Sequence, residues 1–412
     1  MRQLKTCRTY VRSWFCQRGT TETEREPLRM RAMVYLDYNA STPVDQRVLP
    51  AVMAANEEFG NPASTHHGRG QASAELIEEA RSKIGGLVGR PSQDVVLTSG
   101  ATEAATIGLI GAMLGAESRP NVVVGATEHK AILAAAELGA KLTGGRVRIA
   151  RVDRFGVIDV GHLQDLLDDS VSIVAVMAAN NETGVTAPLA GVSNAAQRVG
   201  ALRFADITQL AGKGTTAAAQ EHADLMVCSS HKIYGPKGAG ALIANRHIQR
   251  RMVPLLSGGG QERGLRGGTP NTPGIVGFGI AAELADKEQH SDASRLGRLA
   301  AKLLSGLTQR ITGVELNTVA AERLSNTLNL RFIGADAELV MASMPGVMVS
   351  AGSACQSAVP THSHVLLAMG LGAAEASESL RISLGRPTTS DEISTAVEEI
   401  AAAVARVREL TK

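Results

Sequence analysis

The chain has 412 residues, of which 44% are hydrophobic, 20% are charged and only 3% are aromatic. Its 42 basic and 40 acidic residues give a formal net charge of +2, so the composition offers no electrostatic case for direct nucleic-acid binding. No apolar run approaches the ~18 residues of a membrane-spanning helix, and we expect no membrane contact. The length fits one large domain and a smaller one.

Cysteine usage points to a reducing compartment. The four cysteines are Cys7, Cys16, Cys228 and Cys355, and none forms a CxxC pair. That spacing argues against a disulfide scaffold and against a zinc ribbon. We therefore expect a cytoplasmic protein.

The first 32 residues differ from the rest. They are rich in arginine, carry few core-forming residues and lack the apolar stretch of a secretory signal. A transit peptide fits only the first twenty, because glutamates follow. We expect residues 1–32 to be a disordered extension, or translation to begin instead at Met30 or Met33.

From Val34 onward, short apolar runs alternate with amphipathic segments. Helical periodicity predicts helices over 73–88 and 102–114. Strands are predicted at 94–98, 121–125, 147–152, 172–177, 202–206 and 224–229. Buried apolar runs separated by helices are typical of a parallel or mostly parallel α/β sheet.

The second half begins with a Gly/Pro-rich interruption at 257–273. A loop of this length within a compact domain is typical of a functional segment. A helix is predicted around 274–290. The last helix starts at a capping box formed by Thr389 and Glu392, with apolar residues at helical spacing up to Val407.

Lys232 lies in Ser-Ser-His-Lys-Ile-Tyr-Gly-Pro-Lys-Gly, directly after a predicted strand. A lysine among small residues at a strand end can be desolvated, which lowers its pKa as Schiff-base chemistry requires. The alternative is an ordinary surface lysine. No Gly-Lys-Ser/Thr follows the glycines, which excludes a P-loop.

Four further polar clusters follow predicted strands. Residues 99–103 (Ser-Gly-Ala-Thr-Glu) open a helix, whose backbone amides suit a phosphate. Asp206 could keep a pyridinium nitrogen protonated, or could simply cap a helix. Segments 127–130 and 180–184 bring a histidine and asparagines to the same sheet edge, where ligands bind. Together these clusters predict one site.

Cys355 lies in a run of small and polar residues, 350–358, with no other cysteine nearby. Such a segment suits a reactive thiol, although a half-buried free cysteine is the alternative. His362 and His364 follow it, and we interpret both as solvated loop histidines rather than metal ligands.

These motifs together resemble the cysteine desulfurases of the NifS/IscS type. The resemblance runs from Tyr-Leu-Asp-Tyr-Asn-Ala-Ser-Thr-Pro at 35–43 to Ser-Leu-Arg-Ile-Ser-Leu-Gly-Arg at 379–386. It implies the fold type I of pyridoxal 5'-phosphate (PLP)-dependent transferases, with a large domain built on a mostly parallel seven-stranded sheet and a smaller α+β C-terminal domain. The large domain would span 46–285, and the small one 33–45 and 286–412.

The same resemblance assigns site residues. Lys232 would bind PLP covalently and move protons, His129 would stack on its ring, and Asp206 would pair with the ring nitrogen. Gln209 would contact the phenolic oxygen, and Asn181 and Arg381 would hold the substrate carboxylate. The phosphate would be held by Ala101, Thr102, Ser229, His231 and, from the second subunit of a homodimer, Thr269.

The implied activity is conversion of L-cysteine to L-alanine. Cys355 would be the nucleophile that takes the sulfur as a persulfide. A sulfur-acceptor protein would then receive it, for iron–sulfur cluster assembly, DNA phosphorothioation or another thiolation pathway. Leu366 follows Cys355 by eleven positions, the spacing of the longer-loop group. The end of the chain at Lys412 mildly favours a dedicated pathway over general cluster assembly.

Three other functions stay open at this level. The chain could be another fold type I PLP enzyme, an aminotransferase or a selenocysteine lyase, in which Cys355 is incidental. It could be a non-catalytic scaffold, although intact Lys232, Asp206 and Arg381 argue against that. A Rossmann dehydrogenase is disfavoured because no GxGxxG opens a first strand-to-helix turn.

Overall fold

The computed structural model describes residues 33–116, 118–351 and 362–410. From Val34 onward, the described residues form one compact unit. Two predictions lie outside the described residues, namely the N-terminal extension 1–32 and the cysteine segment around Cys355.

Short strands alternate with helices along the described chain. In chain order the strands are β1 (Val34–Tyr35), β2 (Val95–Thr98), β3 (Asn121–Gly125), β4 (Val147–Ala150), β5 (Val171–Ala175), β6 (Leu202–Asp206), β7 (Leu225–Ser229), β8 (Gly240–Ala244), β9 (Val314–Leu316), β10 (Thr327–Phe332), β11 (Val347–Met348), β12 (Ser350–Ala351) and β13 (Ser379–Ser383). The helices are α1 (Leu49–Glu57), α2 (Gly68–Leu87), α3 (Ala101–Leu114), α4 (Lys130–Thr143), α5 (Val160–Asp165), α6 (Leu189–Arg198), α7 (Ala217–His222), α8 (Arg246–Gln249), α9 (Thr272–Arg310), α10 (Ala337–Ser343), α11 (His364–Ala368), α12 (Ala373–Ser377) and α13 (Ser390–Leu410).

The central sheet has seven strands in the order β2-β8-β7-β6-β5-β3-β4. Strand β8 pairs antiparallel with β2 and with β7, while the pairs from β7 to β4 are parallel. The prediction of a mostly parallel seven-stranded sheet is thus confirmed. Strand β8, the source of the antiparallel pairs, was not among the strands placed from sequence.

Helices cover both faces of this sheet, so its strands are apolar on both sides. Along β7, Leu225 and Val227 pack with helices α3 and α4, whereas Met226 and Cys228 pack with α2 and the first part of α9. This alternation follows from the period of two along a strand. None of the described helices combines the length and apolar character that crossing a membrane requires.

A second sheet, β12-β13-β10-β9, is antiparallel and packs with the later part of α9 and with α13. Thr389 and Glu392 form the predicted capping box of α13, each side chain accepting from the other's backbone amide. Helix α9 runs through the predicted domain boundary at 285–286, and the described residues from Val34 onward form one compact unit, so the division into two domains stays a prediction.

Candidate active site

One cavity of about 610 Å³ lies at the edge where β5, β6 and β7 end, a volume typical of small-molecule sites. Ten of the residues predicted from the sequence line it. They are Ala101, Thr102, His129, Asn181, Asp206, Gln209, Ser229, His231, Lys232 and Arg381. The expectation that polar clusters at strand ends converge is therefore met in the structure. Their individual roles stay predictions.

Lys232 ends a short 3₁₀ turn, Ser230–Lys232, that directly follows β7. The chain then reverses through Tyr234, which adopts a left-handed φ of 68°. A non-glycine residue in this region is strained and must be held by its surroundings. The Tyr234 amide donates to Thr42 Oγ1 at 2.8 Å, and its hydroxyl accepts from the Arg386 amide at 2.6 Å.

The Lys232 amine donates to the backbone carbonyls of Asn39 and Ala40, both at 2.7 Å. These carbonyls belong to the polar segment that follows β1. Thr42 fixes the same segment against the lysine turn, because its amide and hydroxyl both donate to the His231 carbonyl at 3.0 Å. The lysine is thus positioned at the cavity wall by its own turn and by one segment that is distant in sequence.

The start of α3 forms an anion-binding turn. Gly100 precedes the helix, no side chain among the described residues caps it, and Ala101 and Thr102 open it at the cavity wall. Strand β8 begins so close that a Cβ on Gly240 would lie 2.5 Å from the Gly100 Cα. Glycine at position 240 is therefore what allows this approach.

Asp206 ends β6 and is 8% exposed. Its Oδ1 accepts from the Thr208 amide at 2.9 Å, so the carboxylate also stabilises the turn at 207–214. Asp206 can therefore cap this turn and line the cavity at the same time. The two interpretations of Asp206 made from sequence do not exclude each other.

His129 caps the start of α4, where its Nδ1 accepts from the Ala131 amide at 3.1 Å. Burial lowers the pKa of His129, which favours the neutral ring. With Nδ1 used as an acceptor, the proton of that ring is on Nε2. Burial likewise lowers the pKa of His231 to about 4, with nearby lysines acting in the same direction.

Arg381 lies on β13 and is 4% exposed. Its Nη2 donates to Asp37 Oδ1 at 2.7 Å and its Nη1 to the Asn181 carbonyl at 3.2 Å. Its buried Nε has no partner within the described ranges. A buried guanidinium with an unused donor is suited to a carboxylate ligand.

Two of the predicted residues do not join this cluster. Thr269 is exposed and is not among the cavity-lining residues, so its assignment to a partner's site stays a prediction. Cys355 is outside the described residues.

The interpretation of His364 as a solvated loop residue was wrong. His364 begins α11, is half-buried, lines the cavity, and its Nε2 lies 2.9 Å from the Glu128 carbonyl oxygen. Next to it, Ser363 Oγ donates to Glu182 Oε2 at 2.5 Å. Within the part of the chain that the structure describes, no group of three or more potential ligands is arranged for a metal.

Sequence reasoning also missed the roles of Asn39 and Lys213. Lys213 Nζ donates to Asn39 Oδ1 at 3.0 Å and to Gln209 Oε1 at 2.5 Å. The four-residue spacing of Gln209 and Lys213 was a usable signal, since one turn of chain brings such residues together. Nothing in the sequence linked either to Asn39.

Comparison with known proteins places this site in a family. The model of the class-V aminotransferases matches residues 34–395. A cysteine desulfurase of Frankia sp. (strain EuIK1) is 46% identical over 392 residues, covering 92% of this chain and 93% of that protein. A solved NifS-like protein superposes with a TM-score of 0.83 at 32% identity, covering 91% and 100% of the two chains. SspA, solved in complex with cysteine, gives a TM-score of 0.75 at 30% identity, covering 85% and 98%.

Proposed function

We propose that this chain, which belongs to the class-V aminotransferase family and within it to the cysteine desulfurases, is a PLP-dependent sulfurtransferase acting on L-cysteine. The substrate's carbon–sulfur bond breaks and a sulfur–sulfur bond forms on an enzyme cysteine. L-Cysteine and the enzyme thiol thus give L-alanine and an enzyme persulfide. The observation that carries the proposal is the convergence of Lys232, Asp206 and Arg381 on one cavity.

The residues present fit PLP. A helix N-terminus without a side-chain cap suits its phosphate, the buried Asp206 suits its ring nitrogen, and Lys232 suits covalent attachment. When bound, PLP supplies the electron sink that labilises the bonds at the α-carbon of an amino acid. Ala101, Thr102, Ser229 and His231 would hold the phosphate, with Thr269 of a second subunit completing the site in a homodimer.

The remaining residues act on the substrate and on protons. Arg381, whose Nε has no partner in the described ranges, would bind the substrate carboxylate together with Asn181. The Lys232 amine would accept and return the proton of the substrate carbon. His129, neutral and protonated on Nε2, would stack on the cofactor ring and could donate a proton there.

Cys355 is the proposed nucleophile. Burial raises the pKa of Cys228 to about 12, which makes that thiol a poor competitor because the thiolate is the reactive form. We place the enzyme in the cytoplasm. An acceptor protein would take the sulfur toward iron–sulfur clusters, DNA phosphorothioation or another thiolation.

The test is to incubate the PLP-loaded chain with L-cysteine and to quantify alanine and protein persulfide. Cys355→Ala should abolish both products while the absorbance of bound PLP remains, and Cys228→Ala, the matched control, should retain them. Amination of keto acids without alanine release would favour an aminotransferase instead. Persulfide formation by the Cys355→Ala protein would refute the nucleophile assignment.

A further inference from the structure

Lys213 is a half-buried lysine whose amine lies behind the cavity wall, and the proposed reaction does not use it. It ends the turn that follows β6, one residue after Gly212, which adopts a left-handed φ of 71°. It is not a lining residue of the cavity, and burial lowers its pKa well below the usual 10.5. A lysine amine taken out of water in this way needs acceptors for its protons.

The acceptors are two side-chain amide oxygens. Lys213 Nζ lies 2.5 Å from Gln209 Oε1 and 3.0 Å from Asn39 Oδ1. Both amides are almost completely buried, with Asn39 1% and Gln209 4% exposed. Because an amine proton must face an oxygen, these contacts fix which end of each amide points toward Lys213.

The orientation of Gln209 matters because it lines the cavity. With its oxygen held by Lys213, its Nε2 donates to the Asn39 carbonyl at 3.0 Å, an oxygen that also accepts from Lys232. An amide nitrogen has two protons, and within the described part of the chain one is used. The second is available to a ligand.

We propose that Lys213 is a positioning residue, which keeps the Gln209 NH₂ group presented to the phenolic oxygen of bound PLP and ties Asn39 to the same point. This inference rests on the proposed function, because it assumes that PLP occupies the cavity. Lys213 itself touches neither cofactor nor substrate. Without it, the Gln209 amide can rotate and present its oxygen, which repels the phenolic oxygen.

The test is the pH midpoint of the absorbance of bound PLP. A hydrogen-bond donor at the phenolic oxygen of PLP stabilises the negative charge of that oxygen. The donor thereby weakens proton binding at the nitrogen that joins PLP to the protein. Lys213→Met removes the donor from Gln209 with little change in shape. We expect the pH midpoint of the Lys213→Met protein to lie about 0.5 pH units above that of the wild type, which is roughly a threefold change in proton affinity.

A double-mutant cycle separates this role from a structural one. In a Gln209→Leu background, Lys213→Met should leave the midpoint unchanged. With Gln209 present, Lys213→Arg, which retains donors, should keep the midpoint near the wild-type value. An equal shift with and without Gln209, or no shift at all, overturns the inference. Should the Met variant not fold, Lys213→Leu, which also lacks a donor, replaces it.

The cofactor measurement also distinguishes the two proposals. If the wild-type chain shows no absorbance from bound PLP, the proposed function falls and this inference with it. If PLP binds but the midpoint of the Lys213→Met protein is that of the wild type, this inference alone is overturned.

Discussion

Arg381 Nη2 donates to Asp37 Oδ1 at 2.7 Å, joining residues 344 positions apart at the rim of the cavity. The ion pair is nearly buried, with 5% of the arginine side chain and 18% of the aspartate side chain exposed. It orients the guanidinium while leaving Nε without a partner among the described residues.

Replacement of Arg381 by lysine should impair substrate binding. A lysine amine keeps the charge but loses the planar pair of donors that matches a carboxylate. We expect KM for L-cysteine to rise about tenfold or more, with the affinity for PLP nearly unchanged. Steady-state kinetics and a PLP titration measure the two effects. An unchanged KM would remove Arg381 from the substrate site.

Ser363→Ala should destabilise the fold. Ser363 caps α11 by accepting from the Leu366 amide at 3.2 Å and donates to the buried Glu182 carboxyl at 2.5 Å. Removal of its hydroxyl takes away a cap and leaves a buried acceptor unpaired, so we expect a loss of about 2 kcal/mol in urea unfolding. Ser363→Thr retains the hydroxyl and serves as the control. Equal stability of the Ala and Thr variants would contradict this account.

Glu262→Ala should lower the free energy of unfolding more than the loss of a surface ion pair does. Glu262 accepts from Arg81 at 2.6 Å and from the Leu97 amide at 2.8 Å, which ties the Gly-rich segment to β2. Breaking this pair leaves the buried Arg81 guanidinium with the exposed Glu78 carboxylate as its one remaining ionic partner among the described residues, at a cost of about 3 kcal/mol. Glu283→Ala, which breaks the more exposed pairs with Lys287 and Lys83, should cost less than about 1 kcal/mol. Similar losses for the two variants in denaturant unfolding would contradict the argument.

His231 should make stability depend on pH. Its pKa is about 4 in the folded chain, against an ordinary value of 6.5. Between those values the unfolded chain binds a proton that the folded chain does not, so the free energy of unfolding falls as pH falls from 6.5 to 4. The His231→Gln protein should show a shallower fall over this window. Parallel stability curves for the two proteins would exclude His231 as a cause.

The sheet and most of the candidate site could be predicted because both depend on local patterns. Buried apolar runs marked six of the seven strands, and polar residues at their ends share one edge of a parallel sheet. The missed strand, Gly240–Ala244, is a short apolar run, but nothing in its sequence indicates that it runs antiparallel to its neighbours. Its antiparallel course is visible only in its pairing with β2 and β7.

The contacts that orient the site could not be predicted in this way. Asn39 meets Lys213 across 174 residues, and His364 meets Glu128 across 236. Such pairs depend on how the segment after β1 and the start of α11 pack against the sheet edge. No spacing in the sequence encodes these two contacts, which is why His364 was misplaced and the contact between Lys213 and Asn39 was missed.

Borohydride reduction followed by peptide mass mapping shows whether Lys232 holds PLP in this cavity. Reduction makes the link between PLP and its lysine permanent. We expect one PLP adduct per chain in the wild-type protein, on the peptide that contains Lys232, and no adduct in the Lys232→Ala protein. An adduct on Lys213 or Lys237, or no adduct in the wild-type protein, would contradict this expectation.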